Sequence, residues 1–139
     1  MSRKLLGLTV GIGLLIALTG CSKTSASTVQ VALNEWSLKP SVSSVPAGSV
    51  TFQAANQGAV GHELVLIKTD IAPSALKMEA EDPTKVDENA SGPDVGEIDD
   101  IPAAVTKTGT FDLAPGRYVL LCNIPAHFRS GMFAAFEVK

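Results

Sequence analysis

Between residues 105 and 113 the chain changes character at every step. Val105, Lys107, Gly109, Phe111 and Leu113 fall on one side of an extended backbone, and Thr106, Thr108, Thr110 and Asp112 fall on the other. A period of two belongs to a strand and not to a helix, and β-branched threonines suit its wet face. The turn Ala114-Pro115-Gly116 follows, then a strand over 118–122 and another over 133–138. Upstream, Val29, Val31 and Leu33 alternate with Gln30, Ala32 and Asn34. Pro40 and Pro46-Ala47-Gly48 bracket a short extended piece. An apolar run over 50–55 closes at Asn56-Gln57-Gly58, and the stretch 63–67, apolar after Glu63, reads as a central strand. Six to eight short strands with frequent turns and no internal repeat predict an all-β sandwich.

The chain begins differently. Arg3 and Lys4 precede an apolar stretch over 5–18, too short for a transmembrane helix and suited to a signal peptide. It ends Leu18-Thr19-Gly20-Cys21, which resembles the bacterial lipoprotein signal, with residues 1–20 removed and Cys21 lipidated. The small polar stretch that follows, within 21–28, suits a flexible tether, and 29–139 forms one domain. Acyl chains would then anchor the protein to a membrane on the exported, extracytoplasmic side of the cell envelope. Lipid on Cys21 leaves Cys122 as the one remaining thiol; a Cys21–Cys122 disulfide is the competing arrangement. The formal charge of −3 becomes −5 once Arg3 and Lys4 are gone, a poor match for nucleic acid.

Much of the negative charge sits in one place. Residues 70–100 hold ten of the 14 acidic side chains and only two lysines, Lys77 and Lys85. Pro, Ala, Gly and Asp dominate there, so 70–103 reads as an acidic loop insertion with one short helix near 74–80. It serves either as a solvated loop or as a docking surface. The cluster Asp87-Glu88-Asn89 with Asp94 lacks the alternating acidic spacing and glycine of a calcium loop.

Chemistry concentrates near the C-terminus, in Cys122-Asn123-Ile124-Pro125-Ala126-His127-Phe128-Arg129-Ser130-Gly131-Met132. The chain's other histidine, His62, heads the apolar strand 60 residues before Cys122. Cys122 shares strand parity with Tyr118 and Leu120, so an inward face for one is an inward face for all. A loop leaving that strand can present Cys122, His127 and Met132 to one point, with His62 supplied by a neighbouring strand. Zinc prefers tetrahedral Cys and His sets and seldom takes a thioether. Two imidazoles and a thiolate in a plane, with a long axial Met, describe a blue-copper electron-transfer site.

These residues, with the Gly116-x-Tyr118-x3-Cys122 lead-in, resemble the cupredoxins, the small blue copper proteins such as plastocyanin and azurin. The Cys-x4-His-x4-Met spacing is longer than plastocyanin's and closer to that of rusticyanin, auracyanin and sulfocyanin. The resemblance implies a Greek-key sandwich with one copper ion at one end, held by His62, Cys122, His127 and Met132. It also implies a one-electron carrier. One departure stands out: many relatives carry Asn after the first ligand histidine, bonding across to the Cys loop, and this chain has Glu63.

Pro125, Ala126, Phe128 and Phe133 then form a candidate apolar port around His127, through which electrons leave. Arg129 would steer acidic partners, or the acidic insertion basic ones such as a cytochrome; redox proteins, cytochromes or oxidases, are the expected partners of a monomer. Two other functions fit the donor set less well. A copper-delivery protein favours exposed Met- and His-rich tracts, absent here. A copper enzyme needs further histidines for a second copper site, and this chain has only two. Trp36 and Tyr118 read as packing residues, Phe52 and Phe111 as core, and Met78 as core within the insertion.

Overall fold

The computed structural model describes residues 26–139. One sheet runs in the order β2 (Ser37–Pro40), β1 (Ser27–Asn34), β4 (Gly48–Asn56), β7 (Thr106–Leu113). The facing sheet runs β3 (Ser44–Val45), β9 (Phe133–Val138), β8 (Gly116–Leu121), β5 (His62–Lys68), β6 (Asp94–Ile101). The chain passes repeatedly from one sheet to the other, giving the Greek-key β-sandwich that the strand pattern and the resemblance predict. β1 lies parallel to β4 and β3 parallel to β9, and the remaining neighbours are antiparallel.

Alternation becomes burial. Val29, Val31 and Leu33 of β1 and Val50, Phe52 and Ala54 of β4 enter the inner core. They meet Leu64 and Leu66 of β5 and Tyr118 and Leu120 of β8. Phe52 is fully buried, its ring centroid 6.2 Å from Phe111 and 5.7 Å from Phe136. Burying a side chain of that size contributes about 1.5–3 kcal/mol. On the opposite face of the β4–β7 pair, Thr51 and Thr110 lie opposite each other with hydroxyls 2.8 Å apart. Val105 stops short of the inward row: it precedes β7 and stays 37% exposed.

β5 and β8 are buried on both faces, which is why their apolar runs do not alternate. Val65, Ile67, Val119 and Leu121 point to a second core, roofed by Leu76, Val86 and Phe128 with Met78 packed against it. Segment 76–86 is thus a cover for the central strands. It folds back on itself through an isolated bridge between Met78 and Val86.

Segment 70–103 is not the single long loop expected of it. Its last third is the edge strand β6, paired antiparallel with β5. No helix covers 74–80; a single 3-10 turn spans Pro73–Ala75, and the α-helix α1 is Glu88–Ser91, capped by Asp87 Oδ1 accepting from Ala90 N at 3.0 Å. The strand was hidden because its pairing with β5 carries register irregularities, so its buried residues, Ile98 and Ile101, are three apart instead of two. Asp94, Glu97, Asp99 and Asp100 are exposed, a charged edge that discourages pairing with other chains. The end of the stretch expected as a tether, 21–28, already belongs to β1: Ser27 and Thr28 pair with Val50 and Thr51. The expected signal peptide 1–20, the lipidation expected at Cys21 and most of the expected tether lie outside the described residues. Among the described residues, no helix is long and apolar enough to cross a membrane.

Candidate metal centre

The loop 122–132 is built to return on itself. Cys122 N donates to the Met132 carbonyl at 3.0 Å, extending the β8–β9 ladder across the loop's base. His127 N donates to the Ile124 carbonyl at 3.0 Å, and Met132 N to the His127 carbonyl at 3.2 Å. The 3-10 turn Phe128–Ser130 ends at Gly131, whose φ of 113° is strained for any residue with a β-carbon. A β-carbon there would also come 3.3 Å from the Trp36 carbonyl oxygen. Cys122 follows Tyr118 and Leu120 into the inner core, where Met132 joins it.

His62, at the first position of β5, reaches the same spot. Its Nδ1 is 3.3 Å from Nδ1 of His127 and 4.0 Å from Sγ of Cys122, and Cys122 Sγ is 3.4 Å from His127 Nδ1. Among the described residues these three form the one His, Cys, Asp or Glu group able to hold a metal ion. A first-row ion with bonds of about 2.0–2.1 Å to nitrogen and about 2.3 Å to sulfur, centred in a trigonal plane, sets its donors about 3.5–3.8 Å apart. The observed triangle matches that scale. Cys122, His62 and Met132 are inaccessible to solvent, and His127 is 8% exposed. Two imidazoles and a thiol with a thioether in the same core fit copper better than zinc.

Burial sets the protonation of these donors in the metal-free protein. It pushes the Cys122 thiol up, against the backbone N–H groups of Glu63 and Ile124. Burial also holds His62 below the usual imidazole range, countered by Glu35, and His127 likewise, reinforced by the charge of His62. The folded metal-free protein therefore prefers neutral imidazoles, while the unfolded chain takes up protons below about pH 6.5. That stability is present above this pH and is lost as pH falls through it, by up to about 1.4 kcal/mol per pH unit for each histidine. Urea unfolding of metal-free protein should show a lower midpoint at pH 5.5 than at pH 7.5. Burial raises the Glu63 carboxyl, an effect of opposite sign, so Glu63→Gln should steepen the fall.

Glu63 proves to be a brace. Its Oε1 accepts from Asn123 N at 2.8 Å, so the crossing contact expected of Asn is made by a carboxylate. The Asn123 side chain then ties the loop to the roof: Oδ1 accepts from Val86 N at 2.7 Å, and Nδ2 donates to the Val86 carbonyl at 3.0 Å and to Glu88 Oε1 at 2.6 Å. Ala126 N donates to the Thr84 carbonyl at 3.1 Å. The acidic segment thus clamps the candidate ligand loop.

One aromatic reading is refined and one changes. Trp36, read as a packing residue, does pack, but at the surface: it is 46% exposed and meets the His127 ring edge-on, centroids 4.8 Å apart. It sits in the β1–β2 turn, which β-strand parity cannot place. Phe128 is not at the port: it is 7% exposed in the second core, with Phe133 packed on it at 5.0 Å. The 3-10 turn rotates its side chain onto the roof, away from the side on which Pro125 and Ala126 are exposed. Sequence reasoning missed Glu35 and Asn123 as site neighbours. Asn123 was findable from its place beside Cys122; Glu35 had no local signal.

A Greek-key sandwich with a buried His-Cys-His cluster and a methionine in the closing loop is a cupredoxin. The chain belongs to the sulfocyanin (SoxE) domain family, whose model matches residues 13–139. Solved structures agree. Dithionite-reduced auracyanin from Roseiflexus castenholzii is 27% identical, aligned over 83% of this chain and 99% of its own, with a TM-score of 0.60. Auracyanin A, a "blue" copper protein from Chloroflexus aurantiacus, is 20% identical over 83% and 100%, TM-score 0.58. Rusticyanin from Thiobacillus ferrooxidans is 21% identical over 83% and 79%, TM-score 0.50, and these last two speak to the fold alone. No curated protein matches the chain.

Proposed function

We propose that the protein is a type 1 copper one-electron carrier of the bacterial cell envelope, with His62, Cys122, His127 and Met132 as the ligands of one copper ion. One observation carries this reading: three buried donor atoms from two distant segments lie within 4.0 Å of one another. When bound, copper supplies a Cu(II)/Cu(I) couple whose two states prefer imidazole and sulfur respectively. The chain's part is to hold both donor types still. Cys122 gives up its proton on binding, at a cost set by its burial, so metal uptake releases a proton. The base of the loop is pinned by the Cys122–Met132 backbone bond, which limits rearrangement between oxidation states.

Redox partners, cytochromes or oxidases, dock on the exposed surface of Pro125 and Ala126 beside His127, with Trp36 as a third contact in place of Phe128 and Phe133. The acidic edge of β6 steers a basic partner at a salt-dependent rate. The protein acts as a monomer, held to the membrane through lipid on Cys21, and is not an enzyme, since both histidines of the chain are committed to one centre. Copper delivery fits the site poorly, because donors this buried exchange slowly.

Adding Cu(II) to the metal-free protein tests the proposal. An intense blue or green thiolate-to-copper band at one copper per chain is the expected result, and a colourless complex would overturn the carrier role. Met132→Leu should keep the colour and raise the potential: with one donor fewer in a drier, apolar site, the higher-charged Cu(II) loses more than Cu(I), which tolerates a low coordination number, loses in giving up one long sulfur contact. A tenfold change in that equilibrium is about 59 mV, readable by voltammetry.

A further inference from the structure

The turn between β1 and β2 consists of Glu35 and Trp36, with Asn34 and Ser37 paired at its base. Trp36 lies against His127; Glu35 reaches the other histidine. Glu35 Oε1 accepts from Ala59 N at 2.8 Å and from Val60 N at 3.0 Å, in the loop just before His62. That loop makes room for it. A β-carbon on Gly58 would collide with the Glu35 carboxylate, whose Cδ and Oε2 would both lie 2.7 Å away. The same Oε1 is 3.5 Å from His62 Nε2.

Nε2 of His62 is buried and has no hydrogen-bond partner at the geometry shown. The ring turns Nδ1 to Cys122 and His127, so in the ligating tautomer the proton sits on Nε2. A buried N–H facing a carboxylate tied down by two backbone amides is an outer-partner arrangement that orients a metal-bound imidazole and makes it a stronger donor. Glu35 is 29% exposed while His62 is fully covered, so the carboxylate keeps contact with solvent while pointing at a dry ring. The backbone N–H of Val60, more than any other group, holds this carboxyl below its ordinary range.

We infer that Glu35 is a positioning residue for the metal centre: its carboxylate fixes the His62 ring through Nε2 and lowers the centre's reduction potential. The inference rests on the copper reading above. A negative charge behind a ligand, and a more basic imidazole in front of it, both favour Cu(II) over Cu(I).

Glu35→Gln separates charge from structure, because the amide oxygen can still accept from Ala59 and Val60. Voltammetry of the copper-loaded variant should show the blue band kept and the one-electron equilibrium moved at least about tenfold toward Cu(I), about 59 mV upward. A purely structural residue would leave the potential where it was. In metal-free, nitrogen-15-labelled protein, His62 should show an exchange-protected Nε2–H signal that survives in Glu35→Gln and is lost in Glu35→Ala. A blue Glu35→Gln variant with an unchanged potential overturns the inference and leaves the copper reading standing. If even the wild-type chain stays colourless, the copper reading fails, and an Nε2–H signal that persists in Glu35→Ala then overturns the positioning role on its own.

Discussion

Cys122→Ser should remove completely the visible absorption expected of the copper-loaded protein. The colour expected of the wild-type centre arises from electron transfer from a thiolate to Cu(II), and an alcohol oxygen is too hard and too weakly acidic to replace it. The substitution is otherwise small. Position 122 is inaccessible to solvent, and the N–H groups of Glu63 and Ile124 face its sulfur, so a hydroxyl finds partial hydrogen bonding there. Folding should therefore survive, at a cost of about 1–3 kcal/mol for a buried and imperfectly paired hydroxyl. Copper affinity should fall by more than about 100-fold, since disturbing even an outer partner of a ligand costs 10–100-fold. Copper titration followed by absorption and by chelator competition measures both effects. A serine variant that stays blue would show that another group supplies the band.

The second large effect falls on a residue that is no ligand. Asn123→Ala deletes three side-chain hydrogen bonds at a position 1% exposed. Both backbone groups of Val86, itself fully buried, lose their partners together, and Glu88 loses its donor. Orphaned buried groups of this kind cost about 1–3 kcal/mol each, so a loss of about 3–5 kcal/mol is expected. Against a typical total of about 5–15 kcal/mol, that brings the fold close to its limit. Urea unfolding of the metal-free protein gives the number. The same change frees the ligand loop from the roof, so the copper band of the folded fraction should broaden. Asn123→Asp should not rescue it: the acceptor for Val86 N survives, but a third carboxylate arrives beside Glu63 and Glu88. A loss below about 1 kcal/mol for the alanine variant would mean that the roof is held by its apolar contacts instead.

These two residues, adjacent in the chain, mark how much was readable in advance. Cys122 stood out because its donor type and spacing to His127 and Met132 are local properties, and a loop of ten residues brings its own ends together. Asn123 was visible but mute. Its meaning depends on Val86 and Glu88, which reach it only because segment 76–86 folds over the outer face of β5 and β8. The acidic composition of that segment masked both its two apolar anchors, Leu76 and Val86, and the edge strand behind it.

What the amino-acid order settled alone was whatever repeats or acts over a short span. The two-residue period of β1, β4 and β7, the doubly apolar β5 and β8, and the donor spacing of 122–132 all belong to that class. What the tertiary structure decided was which distant side chains meet at the sandwich's end. The β1–β2 turn sets Glu35 against His62 and Trp36 against His127, and Glu63 reaches Asn123. Strand parity says which face a side chain takes. The register and stacking of two sheets determine what lies opposite it, and that information is spread over the whole chain.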